Sequence, residues 1–149
     1  MNQLCLRFYE TVEDNLLTFA VIAARYREKW IFCRHRERET WEIPGGHRES
    51  GENITDTARR ELWEETGAEE FMLKPLTVYS VQDGDLPESF GKLYYADISR
   101  LGSLPPLEIA EIQQSDTLPE RLTYPAIQPK LLALAEVFLK EQQKGVPKP

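Results

Sequence analysis

Three glutamates near the end of one short predicted helix have the residue type and spacing that most directly suggest chemistry. Glu61, Glu64 and Glu65 follow one another at helical spacing, so their carboxylates share one face within about one turn. Such neighbours repel one another, and the dipole of a helix disfavours anions near its C-terminus. A sequence that breaks two local rules at one place often does so for function. Converging carboxylates suit a hard divalent cation such as Mg²⁺, although a solvated acidic helix face would show the same residues.

The residues on either side of these glutamates extend the pattern. Read from Gly46 to Ala68, the chain resembles the Nudix box, Gly-x5-Glu-x7-Arg-Glu-U-x-Glu-Glu-x-Gly-U, in which U is a bulky apolar residue. The matching positions are Gly46, Glu52, Arg60, Glu61, Leu62, Glu64, Glu65 and Gly67. Ala68 is the one departure, because it is apolar but small. The resemblance implies an α/β/α Nudix sandwich that hydrolyses a nucleoside diphosphate linked to another group.

The resemblance also implies roles for individual residues. Carried over by position, the ligands for Mg²⁺, or for Mn²⁺ in its place, would be Glu61, Glu64, Glu65 and the carbonyl of Gly45. Arg60 would orient a glutamate through a bidentate pair, or would form only a local pair with Glu64. Glu52 would lie beside the cluster as a ligand through water or as an orienting group. The candidates for the general base, all carboxylates, are Glu64, Glu108 and Glu111.

The substrate is predicted by exclusion. Gln82 and Asp83 stand where Nudix proteins acting on ADP-ribose tend to have proline, and the markers for dinucleoside polyphosphates and coenzyme A are also missing. The MutT-like group remains, which cleaves nucleoside triphosphates, including oxidised ones, to the monophosphate and pyrophosphate. The alternatives are an RNA 5′-end pyrophosphohydrolase and a non-catalytic nucleotide-sensing module. An RNA enzyme would need a basic track, which a formal net charge of −7 disfavours.

Two pairs of residues outside the box are candidates for substrate binding. Arg34 and Arg36 could reach the phosphates, or could belong to a solvated loop. Thr123 and Tyr124 precede the last helix and could recognise the base, or could form only a helix-entry turn before Pro125. The two histidines are interpreted as surface side chains, which disfavours a zinc site built on them.

The elements that would position these residues can be read from the hydrophobic pattern. Strands are predicted near residues 4–8, 17–24, 29–33, 41–43, 71–81, 92–98 and 108–113, with a charged connection at 34–40. Helices are predicted at about 54–66 and 126–142, the first capped by Asn53 or Thr55 and ended by Gly67. Irregular alternation of these elements predicts an α+β fold, with a mixed central sheet and two main helices.

The whole chain fits one domain of ordinary composition. Its 149 residues are 41% hydrophobic and 29% charged, which predicts a single domain at residues 1–143 and a disordered tail at 144–149. No segment resembles a signal peptide or a membrane span, and two lone cysteines fit a reducing compartment. We therefore expect a cytoplasmic monomer or homodimer that binds a nucleotide and neither DNA nor a membrane.

Overall fold

One mixed β-sheet with a helix on each face forms the framework of the computed structural model, which describes residues 3–144. Its strands are β1 (Leu4–Tyr9), β2 (Leu17–Tyr26), β3 (Lys29–His35), β4 (Gly45–His47), β5 (Ala68–Asp83), β6 (Ser89–Leu101) and β7 (Ile109–Ser115). The strand order is β1-β5-β6-β2-β3-β7, and β4 pairs with β2 outside this path. Strands β2 and β6 are parallel, while the other pairs are antiparallel. The predicted mixed sheet is confirmed.

Strand β2 lies at the centre of the molecule and is buried on both faces. Ala20 and Ile22 pack into one hydrophobic core, while Val21 and Ala23, which alternate with them, pack into a second core on the opposite face. A strand covered on both faces needs apolar residues at every position, because successive side chains point to opposite sides. This explains the continuous apolar run from which the strand was predicted.

Two helices cover the two faces of the sheet. Helix α1 (Ile54–Thr66) contributes Ile54, Ala58 and Leu62 to the first core, and helix α2 (Gln128–Lys144) contributes Leu131 and Ala135 to the second. Helix α2 begins at Gln128 rather than at residue 126, because residues 125–127 form a turn that starts at Pro125. The predicted α+β sandwich with two main helices is confirmed.

The short strand before the box lies later in the chain than predicted. Trp41 and Glu42 make only isolated bridges, and the strand at this place is β4, whose Gly45 pairs with Val21. Close approach explains the difference, since a β-carbon on Gly45 would lie 2.5 Å from the carbonyl oxygen of Ala20. The two glycines therefore bring the box entrance directly against the central strand.

Several other boundaries also differ from the prediction. Strand β5 extends beyond residues 71–81 at both ends, and its register shifts between Pro75 and Thr77, because proline has no N–H to donate to the neighbouring strand. Strand β3 continues to His35, so the charged connection begins two residues later than expected. Lys144, predicted as tail, closes helix α2, and the rest of the predicted tail, residues 145–149, lies outside the described residues. Among residues 3–144, no helix has the length and hydropathy that a membrane span requires.

Candidate active site

Helix α1 holds the box glutamates in a fixed orientation. Asn53 caps its start by accepting a hydrogen bond from the Asp56 backbone N–H at 2.8 Å, and Gly67 ends it in the left-handed conformation with φ of 83°. Between these caps, Glu65 is buried, while Glu61 and Glu64 are partly buried. The three side chains therefore leave the helix toward one cleft instead of spreading into solvent.

The amide of Gly45 binds the most buried of these carboxylates. Its N–H donates to Oε1 of Glu65 at 2.8 Å, so strand β4 fixes one oxygen of a side chain that belongs to helix α1. Gly46, the next residue, faces Glu61 so closely that a β-carbon there would lie 2.3–2.4 Å from its carboxylate atoms. The glycine pair is therefore part of the carboxylate site as well as a close contact of the sheet.

Arg60 connects the loop glutamate to the helix glutamates. Its Nε and one Nη donate to the two carboxylate oxygens of Glu52 at 2.8 and 3.0 Å, which is the expected bidentate pair. Its other Nη donates to Glu61 at 2.8 Å and to Glu64 at 3.2 Å. The geometry thus contains both the orienting pair and the local helix pair that were considered from the sequence.

The carboxylates of this cluster differ in how their pKa values are shifted. Burial raises the pKa of Glu65 from 4.5 to about 8 despite the Gly45 hydrogen bond, and burial also raises the pKa of Glu61 to about 7 despite Arg60. Glu52 is affected in the opposite sense, because hydrogen bonds from Arg60 and Thr57 lower its pKa to about 2. Glu61 and Glu65 are thus acidic groups that lack enough positive charge nearby.

This shortage of positive charge fits a divalent cation. The donors are carboxylate oxygens, which are the ligands that Mg²⁺ and Mn²⁺ prefer. A cation between Glu61 and Glu65 would supply the charge that burial makes necessary and would return their pKa values toward the ordinary range. The residues present therefore fit the group that the sequence predicted, and Glu52 fits a supporting role through Arg60.

The remaining base candidates lie in different surroundings. Glu108 lines the acidic cleft, a space of about 330 Å³ whose wall also includes Glu49, Arg60, Glu61, Glu64 and Glu65. Glu111 is directed elsewhere, since its carboxylate accepts a hydrogen bond from Arg34 Nε at 3.0 Å across strands β3 and β7. Glu64 and Glu108 are therefore the candidates that the fold brings beside the cluster.

The two arginines proposed for phosphate binding are engaged in local contacts. Besides Glu111, Arg34 donates to the backbone oxygen of Arg38 at 2.9 Å. Arg36 donates through Nε to the backbone oxygen of Leu107 at 2.7 Å. Neither residue lines the acidic cleft described above. Their contacts favour the interpretation that they secure the connection after β3.

A second cleft, which we call the aromatic cleft, opens beside the glycine pair. It has a volume of about 370 Å³, and its walls include Phe19, Tyr79 and Tyr124 together with Gly45 and Gly46. Tyr124, a predicted base-recognising residue, thus has a suitable position. Thr123 differs, because its hydroxyl lies 2.7 Å from that of Thr40 and the residue is not part of this wall.

Glu42 and Gln128 also line the aromatic cleft, although no sequence motif marks either residue. Gln128 is buried, and its side-chain oxygen accepts the backbone N–H of Ile43 at 2.7 Å. Glu42 is buried as well and accepts a hydrogen bond from Arg38 at 3.1 Å. Both are polar residues that hold the segment before β4 in place, and only their burial reveals them.

His35 is the other residue that the sequence interpretation missed. Its ring is partly buried at the end of β3, with Nε2 3.5 Å from Glu65 and 3.7 Å from Glu42. Its Nδ1 is 3.9 Å from Glu108. The expected surface role is therefore wrong for His35, whereas His47 is exposed. The position of His35 beside Glu65 depends on the strand pairing that carries β3 past the buried end of α1, which no local pattern reveals.

Comparisons with known proteins agree with this geometry. A family model described as the NUDIX domain matches residues 16–133. The crystal structure of the Bacillus subtilis pyrophosphohydrolase BsRppH superposes with a TM-score of 0.76 at 26% identity, covering 92% of this chain and 92% of that one. A NUDIX hydrolase from Nitrosomonas europaea has a TM-score of 0.68 at 14% identity over 82% of this chain and 90% of that one, which supports the fold alone.

One curated relative adds a comparison at the level of sequence. The "Putative 8-oxo-dGTP diphosphatase YtkD" of Bacillus subtilis (strain 168) is 38% identical over 80 residues. The match covers 54% of this chain and 49% of the relative, so it spans about half of the relative's length.

Proposed function

The chain belongs to the Nudix family, and we propose that it is a divalent-cation-dependent pyrophosphohydrolase that converts a nucleoside triphosphate to its monophosphate and pyrophosphate. One observation carries this proposal: Gly45 and Gly46 line the aromatic cleft and also contact Glu65 and Glu61 of the acidic cleft. The glycine pair therefore connects the aromatic cleft with the carboxylates of Glu61 and Glu65. A nucleotide seated there would have its base among aromatic rings and its phosphates beside the carboxylates.

The charge of the site explains why a cation is needed. The ionised box glutamates and the polyphosphate of the substrate both carry negative charge, so they repel each other. A bound Mg²⁺ would neutralise phosphate charge and lower the pKa of a water molecule that attacks phosphorus. Glu61 and Glu65 would hold this ion, and the missing side chain of Gly46 leaves the space that the Glu61 carboxylate occupies.

The chain's own side chains divide the remaining work. Arg60 is a positioning residue, because its contacts are with Glu52, Glu61 and Glu64. Its guanidinium holds the carboxylates of Glu61 and Glu64 on the helix close to that of Glu52 in the loop. Glu64 and Glu108 border the same cleft, and we assign the role of accepting the proton of the attacking water to Glu64.

The substrate class is supported by the shape of the aromatic cleft. Phe19 and Tyr79 pack edge to face with ring centroids 5.5 Å apart, and Tyr124 is 41% exposed at the rim. An exposed tyrosine beside buried rings suits stacking on a planar base. The similarity to a relative named as an 8-oxo-dGTP diphosphatase favours a purine triphosphate, including an oxidised one.

A product analysis tests the proposal. The protein is incubated with Mg²⁺ and a panel of ordinary and oxidised nucleoside triphosphates, and pyrophosphate and orthophosphate are measured separately. We expect pyrophosphate and monophosphate, and we expect Glu65→Gln to remove this activity while the exposed change Glu37→Gln keeps it. Orthophosphate as the first product would overturn the assignment.

The same experiment separates the two alternatives. An RNA carrying a 5′ triphosphate is added to the panel, and nucleotide binding is measured alongside turnover. Turnover of the RNA with free triphosphates left intact would identify an RNA 5′-end enzyme. Tight nucleotide binding without any turnover would identify a sensing module.

A further inference from the structure

His35 lies where its ring can take part in the cation site. Strand β3 carries it to the buried end of helix α1, and its neighbours are the carboxylates of Glu42, Glu65 and Glu108. One ring nitrogen of His35 and one oxygen each of Glu65 and Glu108 lie within 4.8 Å of one another. Ligand atoms on neighbouring positions of a six-coordinate ion are about 3 Å apart, as bond lengths of about 2.1 Å require. An ion bound by all three residues would therefore have to draw their side chains closer together.

The hydrogen bonds of Glu65 determine which of its oxygens faces this space. Oε1 accepts the Gly45 amide at 2.8 Å and lies 3.8 Å from the thiol of Cys33. Oε2 accepts no hydrogen bond from the residues that the structure describes, and it is this oxygen that lies 3.5 Å from His35 Nε2. The side chain of Glu65 is only 6% exposed. Glu65 therefore presents to the imidazole nitrogen the oxygen that the Gly45 amide does not hold.

We propose that His35 is a ligand of the divalent cation and gives this site a mixed nitrogen and oxygen ligand set. Nε2 would bind the ion beside Oε2 of Glu65, and Glu108 would bind it from the exposed side. The inference rests on the proposed function only in placing a cation at Glu65. Carboxylates suit both Mg²⁺ and Mn²⁺, whereas an imidazole ligand suits first-row transition metals better than it suits Mg²⁺. The site is therefore selective for Mn²⁺ over Mg²⁺.

Electron paramagnetic resonance of bound Mn²⁺ tests this ligand directly and does not depend on turnover. The chain contains only two histidines, His35 and His47, so a histidine signal has two possible sources. The protein is loaded with Mn²⁺, and electron spin echo modulation is recorded with natural histidine and again with ¹⁵N-histidine. We expect a nitrogen coupling that changes with the isotope, persists in His47→Asn and disappears in His35→Asn.

A second measurement protects the result if His35→Asn folds poorly. In His47→Asn the only histidine is His35, so an isotope-sensitive coupling there assigns the ligand without a change at the site. Competition between Mn²⁺ and Mg²⁺ should also show that His35→Asn lowers the preference for Mn²⁺ by about tenfold or more, whereas His47→Asn leaves it unchanged.

The outcomes distinguish failure of this inference from failure of the proposed function. Bound Mn²⁺ without histidine coupling would overturn the ligand assignment and leave His35 as a neighbour of Glu42 and Glu65, with the hydrolase proposal intact. The absence of any Mn²⁺ uptake by the wild-type protein, with nucleotide present, would overturn both. A nitrogen coupling that disappears in His47→Asn would identify His47 as the ligand and would also refute the inference.

Discussion

Replacement of Glu65 by glutamine should stabilise the cation-free protein while it removes activity. The change Glu65→Gln keeps the size of the side chain and keeps an oxygen for the Gly45 N–H, which donates to it at 2.8 Å in the native site. It removes the carboxyl group of a residue that is 4% exposed, and burial raises the pKa of this group to about 8. A residue that is retained at a cost to stability is expected of a functional site.

The size of the effect follows from the pKa of Glu65. The group has a pKa of 4.5 when unperturbed and about 8 in the folded protein, so between these values the folded state keeps a proton that the unfolded state releases. Stability therefore falls as pH rises through this window, by about 1.4 kcal/mol per pH unit at most. By pH 7 the loss amounts to about 3 kcal/mol relative to acid conditions.

Two other carboxylates also change the dependence of the unfolding free energy on pH. Glu61, with a pKa of about 7, adds a loss of the same sign over the lower part of the same window. Glu52 acts at lower pH, because its pKa of about 2 gives a stabilisation that is complete above 4.5 and lost as pH falls toward 2. The comparison of Glu65→Gln with wild type between about pH 5 and about pH 8 therefore isolates the group of interest.

Urea unfolding in the presence of a chelator measures this difference. We expect Glu65→Gln and wild type to have similar free energies of unfolding near pH 4.5 and to diverge as pH rises, the variant being the more stable. Glu37→Gln, a change at an exposed position, is the matched control and should follow the wild type. Added Mg²⁺ should stabilise wild type and not Glu65→Gln. A variant that is equally or less stable than wild type near pH 8 without cation would refute the reasoning.

Three further changes test neighbouring parts of the site. Gly46→Ala places a methyl group 2.3–2.4 Å from the Glu61 carboxylate and should lower kcat by about a hundredfold with a cooperative fold retained; kinetics near the wild-type values would show that this carboxylate can move freely. Arg60→Lys loses the fork that binds several carboxylates and should lower the urea unfolding free energy by about 2 kcal/mol, together with kcat; an unchanged midpoint would contradict the positioning role. Tyr124→Ala should raise KM about tenfold through lost stacking, with kcat little changed, whereas Thr123→Val should leave KM unaltered; equal effects of the two changes would remove Tyr124 from the base site.

The parts of the molecule that the sequence predicted best are those determined by local patterns. Helix α1 has a capping asparagine, helical spacing of apolar residues and a terminal glycine, and its bounds were predicted accurately. Strand β2 was evident because burial on both faces requires a continuous apolar run. The box glutamates were recognised for the opposite reason, since their positions violate local helix preferences.

Long-range packing determined what the sequence could not predict. The strand expected at 41–43 lies instead at Gly45–His47, because two glycines allow close approach to β2. His35 has no motif around it, and its place beside Glu65 depends on strand pairing and on how α1 packs against the sheet. Similarly, nothing local distinguishes Glu108 from Glu111, although only Glu108 lines the acidic cleft.

Titration calorimetry of Mg²⁺ in the presence of a non-hydrolysable nucleoside triphosphate tests the central claim most directly. That claim is that Glu61 and Glu65 together hold a divalent cation next to the substrate phosphates. We predict saturable binding by the wild-type protein and by Glu37→Gln, and a loss of binding in both Glu61→Gln and Glu65→Gln while each variant still unfolds cooperatively. Undiminished Mg²⁺ binding by the two variants would contradict the account.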